Sequence, residues 1–316
     1  MDPHFRAMLD ADAEAAAARN LPALGMLPAA PIRAGYQTQR RALSRNAPAE
    51  VATRDLLVSG ADGDIAARLY EPPGCDLTGP GLVFFHGGGF VIGDLETHDG
   101  FCRHLSALSR CRVLAVDYRL APEHPFPAAH DDALAAVRWA FAHADEIGFA
   151  VSRIAVGGDS AGANLATSIA IDLKDDPAHR PAFQLLLYPA IWPDEQTGSR
   201  AALDGPIVTK AAMRWFEASY AAAGHPEVAR VHLGSDVLLD GMPPAYIVTA
   251  GFDPLKDEGR DYAARLAAAG VAVDHVEYPS MIHDFLTMPD VSPVVVGATR
   301  AAAEAMRDAL ARTDLR

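Results

Sequence analysis

Short apolar runs recur along most of this chain, and segments with hydrophobic residues at helical spacing separate them. Runs of this length are typical of buried strands, since helices usually need about ten residues or more. The runs lie at 56–58, 65–70, 82–85, 113–117, 154–157, 184–188, 246–250 and 271–278. Because helical segments alternate with them from Thr97 onward, the pattern predicts an α/β fold with a mostly parallel, eight-stranded sheet and helices on both faces.

The first two runs depart from this alternation, since no helical segment separates them. They meet at Asp62-Gly63, a pair that favours the tight turn of a β-hairpin because both residues readily adopt positive φ. The sheet is therefore predicted to begin with two antiparallel strands.

A Gly-x-Ser-x-Gly segment, Gly158-Asp-Ser-Ala-Gly162, follows one predicted strand and leads into a predicted helix at 161–174. This context predicts a tight strand–turn–helix with Ser160 at its apex, in a strained conformation that exposes Oγ. The glycines on either side let the strand and the helix approach closely, because neither carries a Cβ. The alternative is an ordinary turn in which Ser160 only caps the helix.

Three consecutive glycines, Gly87 to Gly89, follow the predicted strand at 82–85. Such a turn lets backbone N–H groups face a ligand, where they can stabilise negative charge on the oxygen of an attacked carbonyl. The predicted donors of this oxyanion hole are the amides of Gly88, Gly89 and Ala161. His86 is expected to order the loop by hydrogen bonding. A phosphate-binding loop is the alternative, but no Lys-Ser/Thr pair follows the glycines.

A serine nucleophile needs a histidine base and an acid that orients the base. Asp253 directly follows the predicted strand at 246–250, and His283 follows the last predicted strand. Open parallel sheets place their sites at these strand ends, and the order serine, acid, histidine is that of an α/β-hydrolase. Ser160, Asp253 and His283 are therefore the predicted catalytic triad.

Three neighbouring residues compete for these roles or modify them. Asp257 lies on the first turn of the next predicted helix and is an alternative acid. His275 lies within a predicted strand, where a solvated sheet residue is the simpler interpretation. Asp284 is a loop carboxylate beside His283 that can shift the pKa of that histidine.

Five ordered motifs resemble the hormone-sensitive lipase family, known among bacterial esterases as family IV, from about Leu56 to the C-terminus. They are His86-Gly-Gly-Gly-Phe90, Asp117-Tyr-Arg-Leu-Ala-Pro-Glu-His-Pro-Phe-Pro-Ala128, Gly158-Asp-Ser-Ala-Gly162, Asp253-Pro-Leu-Lys-Asp257 and His283-Asp-Phe285. The resemblance implies the same triad and oxyanion hole, and Asp159 places the chain in the Gly-Asp-Ser-Ala-Gly group.

The resemblance also implies an activity, namely hydrolysis of carboxylic esters of short to medium acyl chain without a cofactor or metal. An amidase or deacetylase with the same triad is the alternative. A non-catalytic ligand receptor of this fold is a weaker one, because such receptors lose the histidine that His283 supplies here. Relatives often dimerise through an edge strand, which makes Val271–Tyr278 a possible homodimer interface.

The chain departs from the family pattern at three places. Asp284 replaces the glycine that usually follows the catalytic histidine, and Ala163 replaces a glycine that often follows Gly162. The acid of a Tyr-Pro-x-x-Asp motif is shifted to Asp194 or absent. These departures affect substrate contacts rather than the reaction type.

Two segments outside the alternation are interpreted as a helical cap over the site. Residues 1–50 form its alanine-rich, helical first part, broken by a Pro/Gly stretch at 22–35, and residues 191–232 form its second part. The catalytic domain then consists of 51–190 and 233–316. The second cap segment carries large apolar side chains that either line a substrate pocket or pack beneath a loop: Trp192, Met213, Trp215, Phe216 and Tyr220.

The composition of the chain limits which kinds of binding partner and which cellular location are expected. The formal net charge of −14 argues against nucleic acid or an anionic membrane, whose phosphates would be repelled. Cys75, Cys102 and Cys111 are too few and too irregularly spaced for a disulfide framework or a zinc site. The N-terminus has no signal-peptide pattern, and no apolar run is long enough for a membrane span. The expected location is the cytoplasm, and the expected partner is a small-molecule ester.

Overall fold

The computed structural model describes residues 1–18, 27–191, 198–234 and 237–311. A sheet of eight strands runs through it in the order β1-β2-β4-β3-β5-β6-β7-β8. The strands are β1 (Ala52–Gly60), β2 (Gly63–Glu71), β3 (Gly79–Phe85), β4 (Arg112–Val116), β5 (Phe149–Asp159), β6 (Gln184–Leu187), β7 (Ala245–Phe252) and β8 (Val273–Ile282). Each overlaps a predicted apolar run, although β1 extends well beyond 56–58 and β8 begins and ends later than 271–278. The predicted fold class is confirmed.

The sheet begins antiparallel, as the Asp62-Gly63 signal predicts. β1 pairs with β2 from Ala52 opposite Glu71 to Gly60 opposite Gly63, and Gly63 has φ +101°. β2 also pairs antiparallel with β4, and the other neighbours are parallel. The carboxyl ends of β5, β7 and β8 therefore reach the same edge of the sheet, where the predicted site residues lie.

Helices cover both faces of the sheet. They are α1 (Pro3–Ala18), α2 (Ala29–Ala42), α3 (Asp99–Ser109), α4 (Ala128–Ala142), α5 (Ala161–Leu173), α6 (Gly198–Ala202), α7 (Lys210–Tyr220), α8 (Lys256–Ala268) and α9 (Pro293–Ala311), with short 3₁₀ turns at Val228–Arg230 and Phe285–Thr287. In β3, Val83 and Phe85 pack on one face and Leu82 and Phe84 on the other, all fully buried. Burial of such a side chain contributes about 1.5–3 kcal/mol, so both layers stabilise the strand.

The predicted break at 22–35 is wrong in its second half. α2 begins at Ala29 and contains both Pro31 and Gly35. Pro31 is the third residue of the helix, where a backbone N–H has no intrahelical acceptor, so the missing donor costs no hydrogen bond. Proline near a helix start is therefore compatible with the helix rather than a break in it. Residues 19–26 lie outside the described part of the chain.

The second predicted cap segment supplies α6 and α7 between β6 and β7. α7 begins at a Thr209 cap, whose side chain accepts a hydrogen bond from the Ala212 amide. Trp192 and Asp194 lie outside the described residues. Over the described ranges, no helix combines the length and the apolar character needed to cross a membrane.

Candidate active site

Ser160 occupies the turn between β5 and α5, with φ 52° and ψ −117°. A non-glycine residue with such dihedrals costs of order 1–3 kcal/mol, which the surrounding contacts must offset. The Ser160 amide donates to Leu187 O (2.9 Å), and its carbonyl accepts from the Asn164 and Ala190 amides (3.1 and 3.2 Å). The side chain makes no capping hydrogen bond to α5, so the interpretation of Ser160 as a mere helix cap is wrong.

The two flanking glycines make this turn possible. A Cβ on Gly162 would lie 1.9 Å from Phe85 O, and one on Gly158 would lie 2.4 Å from the Gly162 backbone. Strand and helix thus approach as closely as the sequence analysis predicts.

His283 connects Ser160 with Asp253. Its Nε2 lies 2.9 Å from Ser160 Oγ, and its Nδ1 lies 2.7 Å from Asp253 Oδ2. Asp253 is fully buried, and its other oxygen accepts from the Leu255 amide at 2.8 Å, which fixes the carboxylate. Ser160, His283 and Asp253, which are distant in the sequence, therefore form one hydrogen-bonded line.

The competing residues have other partners. Asp257 accepts from the Ser199 amide at 2.8 Å and pairs with Arg260 at 2.8 Å. His275 lies in β8, half-buried, with Nε2 2.9 Å from Thr249 Oγ1. Among the described residues, neither has a hydrogen bond to Ser160, His283 or Asp253.

The electrostatic surroundings of His283 favour its charged form. Burial lowers the pKa of the ring, but the carboxylates of Asp253, Asp284 and Asp159 together raise it by more, with Asp253 contributing most of the rise. The pKa of His283 consequently lies above its ordinary value near 6.5. An imidazolium formed when Nε2 takes a proton from Ser160 is thereby stabilised.

The glycine turn after β3 adopts conformations that glycine favours. Gly88 has φ +112° and Gly89 has φ +60°; a Cβ on Gly88 would lie 2.2 Å from Ile92 O, and one on Gly89 would lie 2.3 Å from the Phe216 ring. Within the described ranges, no protein acceptor takes a hydrogen bond from the amides of Gly88, Gly89 or Ala161. These are the amides that the sequence analysis assigns to the oxyanion hole.

His86 makes the ordering contacts expected of it. Its Nδ1 lies 2.7 Å from Gly87 O, and its ring stacks on Tyr118 at 4.3 Å between centroids. The Tyr118 hydroxyl donates to His86 O at 2.7 Å. Burial and the neighbouring His98 lower the pKa of His86 to about 4, so the ring is neutral near pH 7.

Asp159, the other predicted supporting residue, holds the glycine turn against the serine turn. Its Oδ1 accepts from the Gly87 amide at 2.8 Å and lies 3.1 Å from His98 Nε2. Asp159, next to Ser160, thus fixes the position of Gly87, next to Gly88.

A cavity of about 570 Å³ opens onto Ser160 and His283. Helices α1, α2 and α7 supply much of its wall, with Met8, Leu9, Ile32, Tyr36, Met213 and Phe216. The large apolar side chains of the second predicted cap segment divide between the two alternatives left by the sequence. Met213 and Phe216 line the cavity, whereas Tyr220 is buried against Phe90 and its hydroxyl lies 2.7 Å from His130 Nδ1. Trp215 packs half-buried on the core.

Three residues that the sequence analysis missed lie beside this site: Tyr36, Arg40 and His98. The Arg40 guanidinium and the Tyr36 hydroxyl donate to Asp284 Oδ2, the latter at 3.0 Å. The one sequence feature that could have indicated these contacts is Asp284, a carboxylate at a position where the family usually has glycine. A buried carboxylate requires a partner, but the sequence does not show that α2 supplies it.

His98, Asp159 and Asp284 bring potential metal ligands within 4.8 Å of one another. The Asp159 carboxylate already accepts a hydrogen bond from the Gly87 amide, and the Asp284 carboxylate already accepts one from Arg40. A guanidinium at this position repels a second cation, so the donor set fits an ion-pair network better than a metal site.

The comparisons with known proteins agree with this geometry. A family model described as alpha/beta hydrolase fold matches residues 82–287. The chain is 42% identical over 263 residues to esterase LipI of Mycobacterium tuberculosis, covering 82% of each chain. It resembles a solved ester-hydrolase, EH1AB1 from the metagenome of Lake Arreo, with a TM-score of 0.91, 38% identity and 98% coverage of both chains. A hyperthermophilic esterase from Pyrobaculum calidifontis gives a TM-score of 0.88 at 35% identity, again with 98% coverage of both.

By its fold and these relatives, the protein is an α/β hydrolase. The chain belongs to the alpha/beta hydrolase fold family and, within it, to the hormone-sensitive-lipase-like family IV esterases, as its five motifs predict. It is a carboxylic ester hydrolase.

Proposed function

We propose that this protein hydrolyses carboxylic esters of short to medium acyl chain through a covalent acyl-enzyme on Ser160. His283 is the general base, and Asp253 orients it. The observation that carries the proposal is the buried line from Ser160 Oγ to His283 Nε2 (2.9 Å) and from His283 Nδ1 to Asp253 Oδ2 (2.7 Å). These distances lie within the range required for proton transfer from a nucleophile to its base.

The reaction proceeds in two halves. His283 carries its proton on Nδ1, facing Asp253, so Nε2 is free to accept the proton of Ser160 Oγ as the oxygen attacks the ester carbonyl. His283 then gives this proton to the departing alcohol, which leaves the acyl group on Ser160. Water attacks the acyl-enzyme by the same steps and releases the acid.

Backbone amides stabilise the tetrahedral intermediate in each half. The amides of Gly88, Gly89 and Ala161 flank Ser160 and have no protein acceptor within the described residues. A fixed donor of this kind is worth about 3–4 kcal/mol of transition-state stabilisation. Because His86 and Asp159 hold the turn before the substrate binds, little reorganisation remains for the reaction itself.

The cavity supports short to medium acyl chains as the substrate class. Its volume of about 570 Å³ lies within the usual range for small-molecule sites, and its wall is mostly apolar. Residues 1–50 and 191–232 act in this proposal as a cap over the catalytic domain, formed by 51–190 and 233–316. α1, α2 and α7 contribute to the wall in agreement with that division.

Two further properties belong to the proposal. The partner is a small-molecule ester rather than nucleic acid, and homodimers form through the edge strand at 271–278, because β8 ends the sheet order in the described chain. The location is the cytoplasm, which agrees with three free thiols at Cys75, Cys102 and Cys111.

Native protein is expected to hydrolyse p-nitrophenyl butyrate with a kcat/KM that rises with pH. Only neutral His283 accepts a proton, so the rate increases as the ring loses its charge. Since the pKa of His283 is raised, the midpoint of this rising limb should lie above 6.5. Initial rates between about pH 5 and 9 measure it. No hydrolysis by folded protein, or a rate independent of pH over that range, would contradict the proposal.

A further inference from the structure

Four charged side chains lie together beneath the candidate active site. We call Arg40, His98, Asp159 and Asp284 the buried quartet; they are 2%, 0%, 2% and 6% exposed. Arg40 pairs with Asp284, and His98 Nε2 lies 3.1 Å from Asp159 Oδ1. Burial lowers the pKa of His98, but Asp159 and Asp284 together raise it by more, so His98 retains its proton to higher pH than usual. With His98 protonated, two positive charges balance two negative ones.

Each acid of the quartet adjoins a residue of the proposed triad in the chain. Asp159 directly precedes Ser160, and Asp284 directly follows His283. The two cations come from other elements, since Arg40 lies on α2 and His98 directly precedes α3. The quartet therefore joins the turns that carry the nucleophile and the base to two helices outside the hydrolytic chemistry.

Asp284 adopts a conformation that disfavours its own side chain. Its φ of +66° lies in the left-handed region, which suits glycine better than aspartate. Several hydrogen bonds to the aspartate side chain offset this unfavourable conformation. Its carboxylate accepts from Arg40, from the Tyr36 hydroxyl at 3.0 Å and from the Thr287 hydroxyl at 2.8 Å. Two of these donors lie on α2, so the cap helix is attached directly to the residue after His283.

We propose that Arg40 and Asp284 are positioning residues that couple helix α2 to His283, with Asp284 supplying negative charge at the base and Arg40 offsetting it. The proposal rests on the proposed function, because it assigns these residues to the same base. They do not touch the reacting atoms; they act through the backbone of His283 and through the charges around its ring.

Charged and titratable groups face His283 from every side packed against it. They are Asp253 after β7, Asp159 and Ser160 at the β5–α5 turn, Asp284 on its own loop, Tyr36 and Arg40 on α2, His98 before α3 and Tyr188 after β6. The carboxylates raise the pKa of His283, and removal of one should lower it. Removal of Arg40 leaves Asp284 uncompensated and should raise it. We expect Asp284 to stay ionised in that case, because Tyr36, Thr287, the charged His98 and His283 remain beside it.

Opposite shifts in the pKa of His283 are therefore expected from Asp284→Asn and Arg40→Met. In a Ser160→Ala background, NMR titration of the His283 imidazole in the full chain should give a pKa lower by about one unit for Asp284→Asn and higher by a similar amount for Arg40→Met. The double variant Arg40→Met/Asp284→Asn should return close to the parent value, because it removes both charges. With Ser160 present, the rising limb of kcat/KM should move in the same directions.

Two further variants separate this coupling from simple loosening of α2. Arg33 lies on the same helix and donates to Val91 O and Ala121 O, both at 2.7 Å, but it pairs with Glu123 instead of Asp284. Arg33→Met should leave the pKa of His283 in place. Arg40→Lys keeps the charge and should preserve most of the parent value, which supplies a folded comparison if Arg40→Met unfolds.

Shifts of the same sign in both single variants, or no shift in either, would overturn the proposal. A pKa shift from Arg33→Met equal to that from Arg40→Met would do the same. The NMR readout needs no turnover. Failure of the quartet is therefore distinguishable from failure of the proposed function, which would appear as hydrolysis that survives Ser160→Ala.

Discussion

Asp253→Asn is expected to lower kcat for p-nitrophenyl butyrate by on the order of 10⁴, while the protein stays folded. The Asn amide would donate to His283 Nδ1, where the carboxylate now accepts, and would leave the proton on Nε2 facing Ser160. A ring in that tautomer cannot act as a base. The remaining amide oxygen can still accept from the Leu255 amide, so the loop after β7 keeps its hydrogen bond.

The matched control is Asp257→Asn. Asp257 lies four residues further along the same segment but bonds to the Ser199 amide and Arg260 instead of His283. We expect this variant to retain kcat within about tenfold, since Asp257 has no hydrogen bond to Ser160, His283 or Asp253 among the described residues. Steady-state kinetics on both variants, with thermal unfolding to verify folding, make the comparison. If kcat fell by less than tenfold in Asp253→Asn, or fell further in Asp257→Asn than in Asp253→Asn, Asp253 would not be the acid of the triad.

Gly162→Ala is expected to abolish measurable activity and to destabilise the protein by about 3 kcal/mol or more. A single methyl group at this position would lie 1.9 Å from Phe85 O and 2.6 Å from His86 O, both backbone atoms of the neighbouring strand end. Backbone cannot move aside as a flexible side chain can, so β3 and α5 must separate. That movement displaces Ser160 and the glycine turn together.

A second glycine gives the contrast for this experiment. Gly297 lies within α9, and a Cβ there would have nothing within 4 Å. Gly297→Ala should therefore stabilise the protein by about 0.5–1 kcal/mol, because alanine favours the helix more than glycine does. Chemical denaturation of both variants measures the two free energies of unfolding. If Gly162→Ala were as stable and as active as the native protein, β3 and α5 would not approach each other as closely at this turn as described above.

The sequence predicts the sheet well because its signals are local. Apolar runs mark all eight strands, and the hairpin at Gly63 follows from two residues with a known turn preference. The strained turn at Ser160 is also predictable, since the flanking glycines report close backbone contact directly in the sequence. α2 was harder to predict, because Pro31 is read as a break until its position in the first turn of the helix is known.

The supporting parts of the site depend on contacts between distant segments. Arg40 and Asp284 are 244 positions apart, and no local pattern connects them. The sequence shows only that Asp284 stands at an unusual place. The side chains of α7 present the same difficulty, since Phe216 lines the cavity while Tyr220 is buried against Phe90. Phe216 and Tyr220 are four residues apart and share one face of α7, so which of them reaches the cavity follows from tertiary packing, not from hydrophobicity.

Covalent labelling with a p-nitrophenyl alkylphosphonate tests directly whether Ser160 is the nucleophile. An activated Ser160 Oγ attacks phosphorus, forms a P–O bond and expels p-nitrophenolate, and the adduct imitates the tetrahedral intermediate. We expect one phosphonyl group per chain, one equivalent of p-nitrophenolate, and a modified peptide that contains Ser160, with no labelling in Ser160→Ala. A label on another residue, or equal labelling of native protein and Ser160→Ala, would contradict the assignment of Ser160 as the nucleophile.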